Sequence, residues 1–325
     1  MRDKSPLTTD DRRSDLLIRV ASMYYERDYS QQKIADVLNT SRSNVSRLLK
    51  EAKTKGFVEI RVHKRVATAV ALEQALVDQF DIEAALVFEG GNLDYHSRLE
   101  RVGLLAARHL ETQIEEGDTL AISWGTAVAS AVGAFPVMTN LHTDVVQMIG
   151  TVGRVDSIID GPDLSRELAN KLGGQHYYLN APLFVDSAST RAIFLQQPII
   201  AETLSMARKA QVALVGIGTT VPGKSSFLRA RHLSEADLDR LRAQGAVGEV
   251  SGQHFDIEGN ADGIDLNERV IGLTAAEIRR IPRISAVACG AHKVQSILGA
   301  LRGGYLSALA TDDMTATEIL RAAIT

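Results

Sequence analysis

Cysteine is almost missing from this chain. The single thiol among 325 residues, Cys289, excludes an internal disulfide and a cysteine-only metal site. The eight histidines never fall in a ligand spacing such as HxxxH, so neither a structural metal nor a metal cofactor is expected. No run of 18 apolar residues occurs, which argues against a helical membrane span, and the opening MRDKSPLTTDDRRSD has no apolar segment for a signal peptide. A cytoplasmic protein is expected. The dinucleotide-binding pattern GxGxxG is also absent, failing at Val221.

The composition is that of a globular chain, with 45% apolar and 23% charged residues, and the length suits two domains. The net charge of −4 conceals an asymmetry. Residues 1–65 hold 15 Lys and Arg against 9 Asp and Glu, a net +6, whereas the remainder holds 21 against 31, a net −10. A basic head on an acidic body points to an anionic partner for the head alone. Nucleic acid is favoured over a membrane surface, because the head is not a Lys/Arg-rich amphipathic helix.

Within the head, SDLLIRVASMYYER places Leu17, Val20, Ala21 and Tyr24 on one helical stripe. Ser30 is positioned to cap a second helix with Ile34, Ala35 and Leu38 on one face, and Asn39 tolerates the left-handed conformation needed to stop it. Ser41 then caps a third helix with Val45, Leu48 and Leu49 inward and Lys53, Lys55 and Gly56 at its end. This register predicts a helix-turn-helix. The DNA-contacting set is Ser41, Arg42, Ser43, Asn44, Ser46, Arg47 and Lys50, short polar groups and cations suited to base edges and phosphates. The following FVEIRV alternates as a wing or hairpin strand would.

From about residue 66 short aliphatic runs alternate with helical segments, which predicts a parallel-rich α/β sheet covered on both faces. Leu72, Ala75, Leu76 and Phe80 of the linking helix suit either subunit pairing or packing on their own domain. Ligands of such sheets collect at the carboxyl ends of strands. Four Gly-containing strand ends carry suitable chemistry: Ser123-Trp124-Gly125-Thr126, Gly150-Thr151-Val152-Gly153-Arg154, Gly216-Ile217-Gly218-Thr219-Thr220 and Cys289-Gly290-Ala291-His292-Lys293. Each alone is also a plain βα turn. Together they suggest a phosphosugar site, with Lys293 as point charge, Gly125, Thr126, Thr151, Gly153, Arg154, Gly218 and Thr219 around it, and Glu249 or Asp256 accepting from hydroxyls.

At this level of detail the chain resembles the SorC family of bacterial transcriptional regulators, from about residue 14 to 323. AVACGAHKVQSILGALRGGYLSALATDDMTA is the most specific segment; GAVGEVSGQHFDIEG, VGIGTT, IGTVGR and YSQQKIADVLNTSRSNVSRLL match in order. The resemblance implies an N-terminal helix-turn-helix domain (1–63) and an effector-binding and oligomerisation domain (64–325). The latter is similar to ribose-phosphate isomerase and glucosamine-phosphate deaminase. It further implies a homodimer or homotetramer on double-stranded operator DNA and a phosphorylated sugar or polyol effector. The family's effector contacts fall on Gly125, Thr126, Thr151, Gly218, Glu249 and Lys293. Some relatives carry Asp where this chain has Glu249, one methylene longer, so the effector's identity is not carried over. Two rival functions follow from the same residues, a sugar-phosphate isomerase or deaminase bearing a DNA-binding domain and an architectural DNA binder without ligand. No second catalytic carboxylate is evident for the first, and the Gly-rich strand ends argue against the second.

Overall fold

The computed structural model describes residues 9–58, 66–151, 153 and 160–324. The expected wing strand, from Glu59 onward, and Arg154 lie outside these residues. The chain divides into two compact units at Arg65 and Val66, two residues beyond the expected boundary.

The first unit holds α1 (Thr9–Tyr25), α2 (Gln31–Val37) and α3 (Arg42–Thr54). Ser30 accepts from the Lys33 N–H and Ser41 from the Asn44 N–H, so both expected caps are made. Asn39 ends the second helix with φ 48°, a conformation that asparagine tolerates better than most residues. Leu17, Val20, Ile34, Ala35, Val45, Leu48, Leu49 and Ala52 form its buried core. Arg13 on α1 pairs with Glu51 on α3 at the rim.

The second unit begins with α4 (Val70–Phe80), β1 (Ala84–Phe88), α5 (Tyr95–Gln113), β2 (Thr119–Ile122), α6 (Thr126–Ala134), β3 (Thr143–Gln147), α7 (Gly161–Leu172) and β4 (Gly173–Tyr177). There follow α8 (Ala188–Leu195), α9 (Pro198–Arg208), β5 (Val212–Thr219), α10 (Ser226–Arg229), α11 (Glu235–Ala243), β6 (Gly248–Val250) and β7 (Gln253–Phe255). The unit closes with α12 (Ala275–Ile278), β8 (Arg283–Val287), α13 (Val294–Arg302), β9 (Ala308–Asp312) and α14 (Asp313–Ala323). Seven strands run parallel in the order β1-β9-β8-β5-β2-β3-β4, and β6 and β7 form a hairpin laid antiparallel on the end of β5.

Strand residues alternate between two cores, because successive side chains point to opposite faces. Leu120, Ile122, Val212, Leu214 and Val287 join Val102, Leu110, Val128 and Leu168 of α5, α6 and α7. Ala121, Ala213, Val215, Ala286 and Leu309 join Leu76, Leu204, Ile297 and Ile319 of α4, α9, α13 and α14. Both faces of the sheet are therefore covered, as near-continuous aliphatic strands require. Of the α4 stripe, Leu76 is fully buried in its own domain, with Leu72 and Phe80 packed half-buried on that core.

The short β6–β7 hairpin was not anticipated as strands. Its turn, Ser251-Gly252, has φ of 50° and 78°, the left-handed pair that a tight hairpin demands.

Candidate functional site

β2 and β5 are neighbours, yet the chain leaves β2 toward β3 and leaves β5 toward β8, in opposite directions along the sheet. Diverging connections leave a crevice outside the carboxyl ends of the two strands. A cavity of about 570 Å³ occupies that position, within the second unit.

Its floor is the β2–α6 turn. Gly125 has φ 112°, which a side chain would strain, and it starts α6 with no side-chain cap, so the first-turn amides are left to face the cavity. Trp124 packs on Phe227 of α10 at 5.3 Å between ring centroids. A second wall comes from β5 and the hairpin. Glu249 lies across from Gly218 in the antiparallel register, is 8% exposed, and accepts from the Gly252 N–H at 2.7 Å through Oε2. Burial pushes its carboxyl up to about 7, against the opposing pull of that N–H and of Lys293.

Lys293 reaches the cavity from the turn between β8 and α13, where it serves as the N-cap residue of α13 rather than a first-turn residue. Its Nζ donates to the Ile217 carbonyl at 2.5 Å. Burial draws its pKa down to about 8; Glu249 opposes the shift and Arg229 adds to it. Neighbouring His292 falls to about 4 through burial and the fields of Lys293, Lys224 and Arg229, which keeps the ring neutral near pH 7. Three cations thus converge on one crevice.

The turn itself is fixed from behind by Asp312, a fully buried carboxylate at the end of β9. Oδ2 accepts from the Gly290 N–H at 3.1 Å and the Thr315 hydroxyl at 2.8 Å, and Oδ1 accepts from the Thr315 N–H. Arg98 of α5 stands 3.8 Å away and donates to the Leu93 carbonyl at 2.9 Å. One ion pair therefore ties together the β1–α5 loop, the β8–α13 turn and the start of α14.

Of the residues singled out from sequence, Gly125, Thr126, Gly218, Glu249 and Lys293 line this cavity together. Thr151, Gly153 and Thr219 do not. The Thr151 N–H donates to Ala181 and the Gly153 N–H to Asp160, whereas Thr219 braces the site by donating to the His292 carbonyl. Asp256 organises its own turn, accepting from the backbone N–H groups of Glu258 and Asn260. Sequence reasoning missed Tyr95, Arg98, Lys224, Ser226 and Arg229, all on the lining. The available signal for the last three was GTTVPGKSSFLR, in which Gly218, Gly223, Lys224 and Ser225 are spaced as in GxxxxGKS and Ser225 caps the short helix that carries Ser226 and Arg229.

In the first unit, Arg42, Ser43, Ser46, Arg47 and Lys50 are exposed on α3 opposite Val45 and Leu48. The Ser41 hydroxyl is engaged as the cap and lies 2.9 Å from that of Ser43. Asn44 is half-buried, bonded to Thr40 and Arg47.

A helix-turn-helix unit followed in the chain by a parallel α/β domain with a cationic crevice at its switch point defines a ligand-responsive transcription regulator. The family described as "Putative sugar-binding domain" matches residues 64–321, and that described as "Sigma-70, region 4" matches residues 19–55. The chain belongs to the SorC/DeoR family of sugar-binding transcriptional regulators. It is 30% identical over 311 residues to the deoxyribonucleoside regulator of Bacillus subtilis (strain 168), spanning 96% of this chain and 99% of that one. Identity to the sorbitol operon regulator of Klebsiella pneumoniae is 29% over 308 residues, spanning 94% and 98%. The crystal structure of the full-length sorbitol operon regulator SorC from the same organism superposes with a TM-score of 0.74 at 29% identity. That superposition covers 96% of this chain and 100% of that chain. These relatives are transcriptional regulators, and the chain is a regulator with a sugar-binding effector domain rather than an enzyme.

Proposed function

We propose that the effector is a phosphorylated sugar or polyol and that its binding changes affinity for a double-stranded operator. The observation that carries this reading is the charge of the crevice. With Arg98 answered by Asp312, the cations Lys224, Arg229 and Lys293 face the single carboxyl of Glu249. A phosphate monoester, carrying close to two negative charges, matches that excess. Glu249, short of donors, suits sugar hydroxyls. Gly125, Thr126, Gly218, Glu249 and Lys293 are the proposed effector contacts, joined by Lys224 and Arg229.

For DNA, the proposed contacts are Arg42, Ser43, Ser46, Arg47 and Lys50, with Ser41 and Asn44 shaping the helix start. One helix-turn-helix touches a single half-site, so we assign a homodimer or homotetramer acting in the cytoplasm. Among the described residues no helix is long and apolar enough to cross a membrane.

The test is a thermal-shift screen of sugar phosphates beside their unphosphorylated counterparts, run with a turnover assay. Saturation at a hundred times Kd adds about 2.7 kcal/mol. Stabilisation by phosphorylated compounds only, without turnover and with altered operator binding, is the expected result. Equal stabilisation by both forms removes the phosphate from the reading.

A further inference from the structure

The start of α3 contains a relay of three side chains that decides what the helix can read. Arg47 donates through Nη2 to Oδ1 of Asn44 at 2.7 Å, and Asn44 donates through Nδ2 to Oγ1 of Thr40 at 2.8 Å. The orientation of the amide is set by chemistry. A guanidinium can only donate, so the amide oxygen must face Arg47, and the NH2 is left for the threonine hydroxyl. Thr40 is itself anchored, its backbone N–H donating to the Ala35 carbonyl of α2 at 2.9 Å. The Arg47 fork is therefore braced, through one amide, against the preceding helix.

An asparagine reads adenine by offering its amide oxygen and NH2 together, to N6 and N7 of the base. Here each end of the Asn44 amide already makes one bond inside the protein, which fixes its plane toward Thr40 and Arg47. Arg47 keeps four of its five N–H donors beyond that bond, in a plane the relay holds, and two acceptors side by side are what guanine presents at O6 and N7. Resting on the proposed role of α3 in DNA binding, we infer that Arg47 reads a guanine in the major groove. Asn44 and Thr40 then act as positioning residues for it and read no base of their own. The preference at that one base pair is set by one arginine and its two-residue support.

The experiment uses full-length protein and a duplex enriched from a random-sequence pool, with affinities measured at one fixed salt concentration for every single base-pair change. Arg47→Ala should lower affinity about 10- to 100-fold and flatten the preference at one G·C pair. Arg47→Lys, which keeps charge but not the fork, should hold binding to unrelated DNA and flatten the same pair. Asn44→Ala and Thr40→Val should each weaken preference at that pair and no other. Asn44→Ala combined with Arg47→Ala should be no worse than Arg47→Ala alone, and Thr40→Ser should restore the wild-type pattern. Replacing the guanine by 7-deazaguanine should weaken wild type and leave Arg47→Ala unmoved. Loss of preference at a separate A·T pair in Asn44→Ala, additive with Arg47→Ala, overturns the inference and makes Asn44 a reader. If Arg47→Ala leaves every position unchanged, this inference fails; if Arg42→Ala and Lys50→Ala leave affinity unchanged as well, the DNA-contact role of α3 fails with it.

Discussion

The carboxylate of Glu249 fills the space that a side chain at Gly218 would need: a Cβ there would lie 1.8 Å from Oε1. Gly218 is thus what lets a carboxyl from the hairpin enter the crevice. Gly218→Ala should push Glu249 aside, abolish the effector's change in operator binding, and cost about 1–3 kcal/mol of stability as an overpacked site. Titrating effector against operator complex, together with urea unfolding, checks this. Adding Glu249→Ala should recover the stability without recovering the response.

Raising the folded pKa of Glu249 to about 7 makes stability depend on pH in a definite direction. The folded chain holds this proton more tightly than the unfolded one, so the contribution is fully present below the unfolded value near 4.5. It is lost as pH rises toward 7. Glu249→Gln should remove that decline. Lys293 acts oppositely at higher pH: its depressed pKa, about 8, makes folding release a proton, so stability should gain between about 8 and 10.5. Tm profiles of wild type, Glu249→Gln and Lys293→Met across this range separate the two.

Lys293→Ala removes a charge-assisted contact and should weaken the phosphorylated effector by about 1.5–3 kcal/mol, with little change for the unphosphorylated sugar. Arg229→Ala should act in the same sense. Trp124 is the chain's sole tryptophan and lines the cavity, so its emission reports both titrations.

Asp312→Ala should be the most destabilising of these changes, at about 3–5 kcal/mol, because it strands Arg98 and leaves the Gly290 N–H with only the Thr315 hydroxyl. Chemical denaturation measures it. A loss below 1 kcal/mol would mean that the pair does not brace the turn.

Much of this was legible because local chemistry and tertiary structure agree. Ser30, Asn39 and Ser41 do in the structure what their residue types favour, and the aliphatic strands alternate between two helix-bearing faces. Lys293 was readable from its strand end, whereas Glu249 stood beside Asp256 as one of two candidate carboxylates and was singled out by the resemblance. Arg98 was not readable, since nothing local distinguishes a cation facing a crevice from one facing solvent. The hairpin bearing Glu249 has strands of three residues, too short for a period to register. Thr151 shows the converse failure, a Gly-flanked strand end whose backbone is engaged by Ala181 and Leu183.

The position of β9 between β1 and β8 bears on how the chain is made. The first strand of the effector domain finds its neighbour only in nearly the last segment to be synthesised, where Ala84 aligns with Ala308. The helix-turn-helix unit, whose core is drawn from its own short stretch, can be complete while the second domain is still an open sheet. A nascent or prematurely terminated chain ending before residue 308 would carry a formed helix-turn-helix unit and an effector domain whose first strand has no neighbour, so the order of synthesis completes the sensing half last.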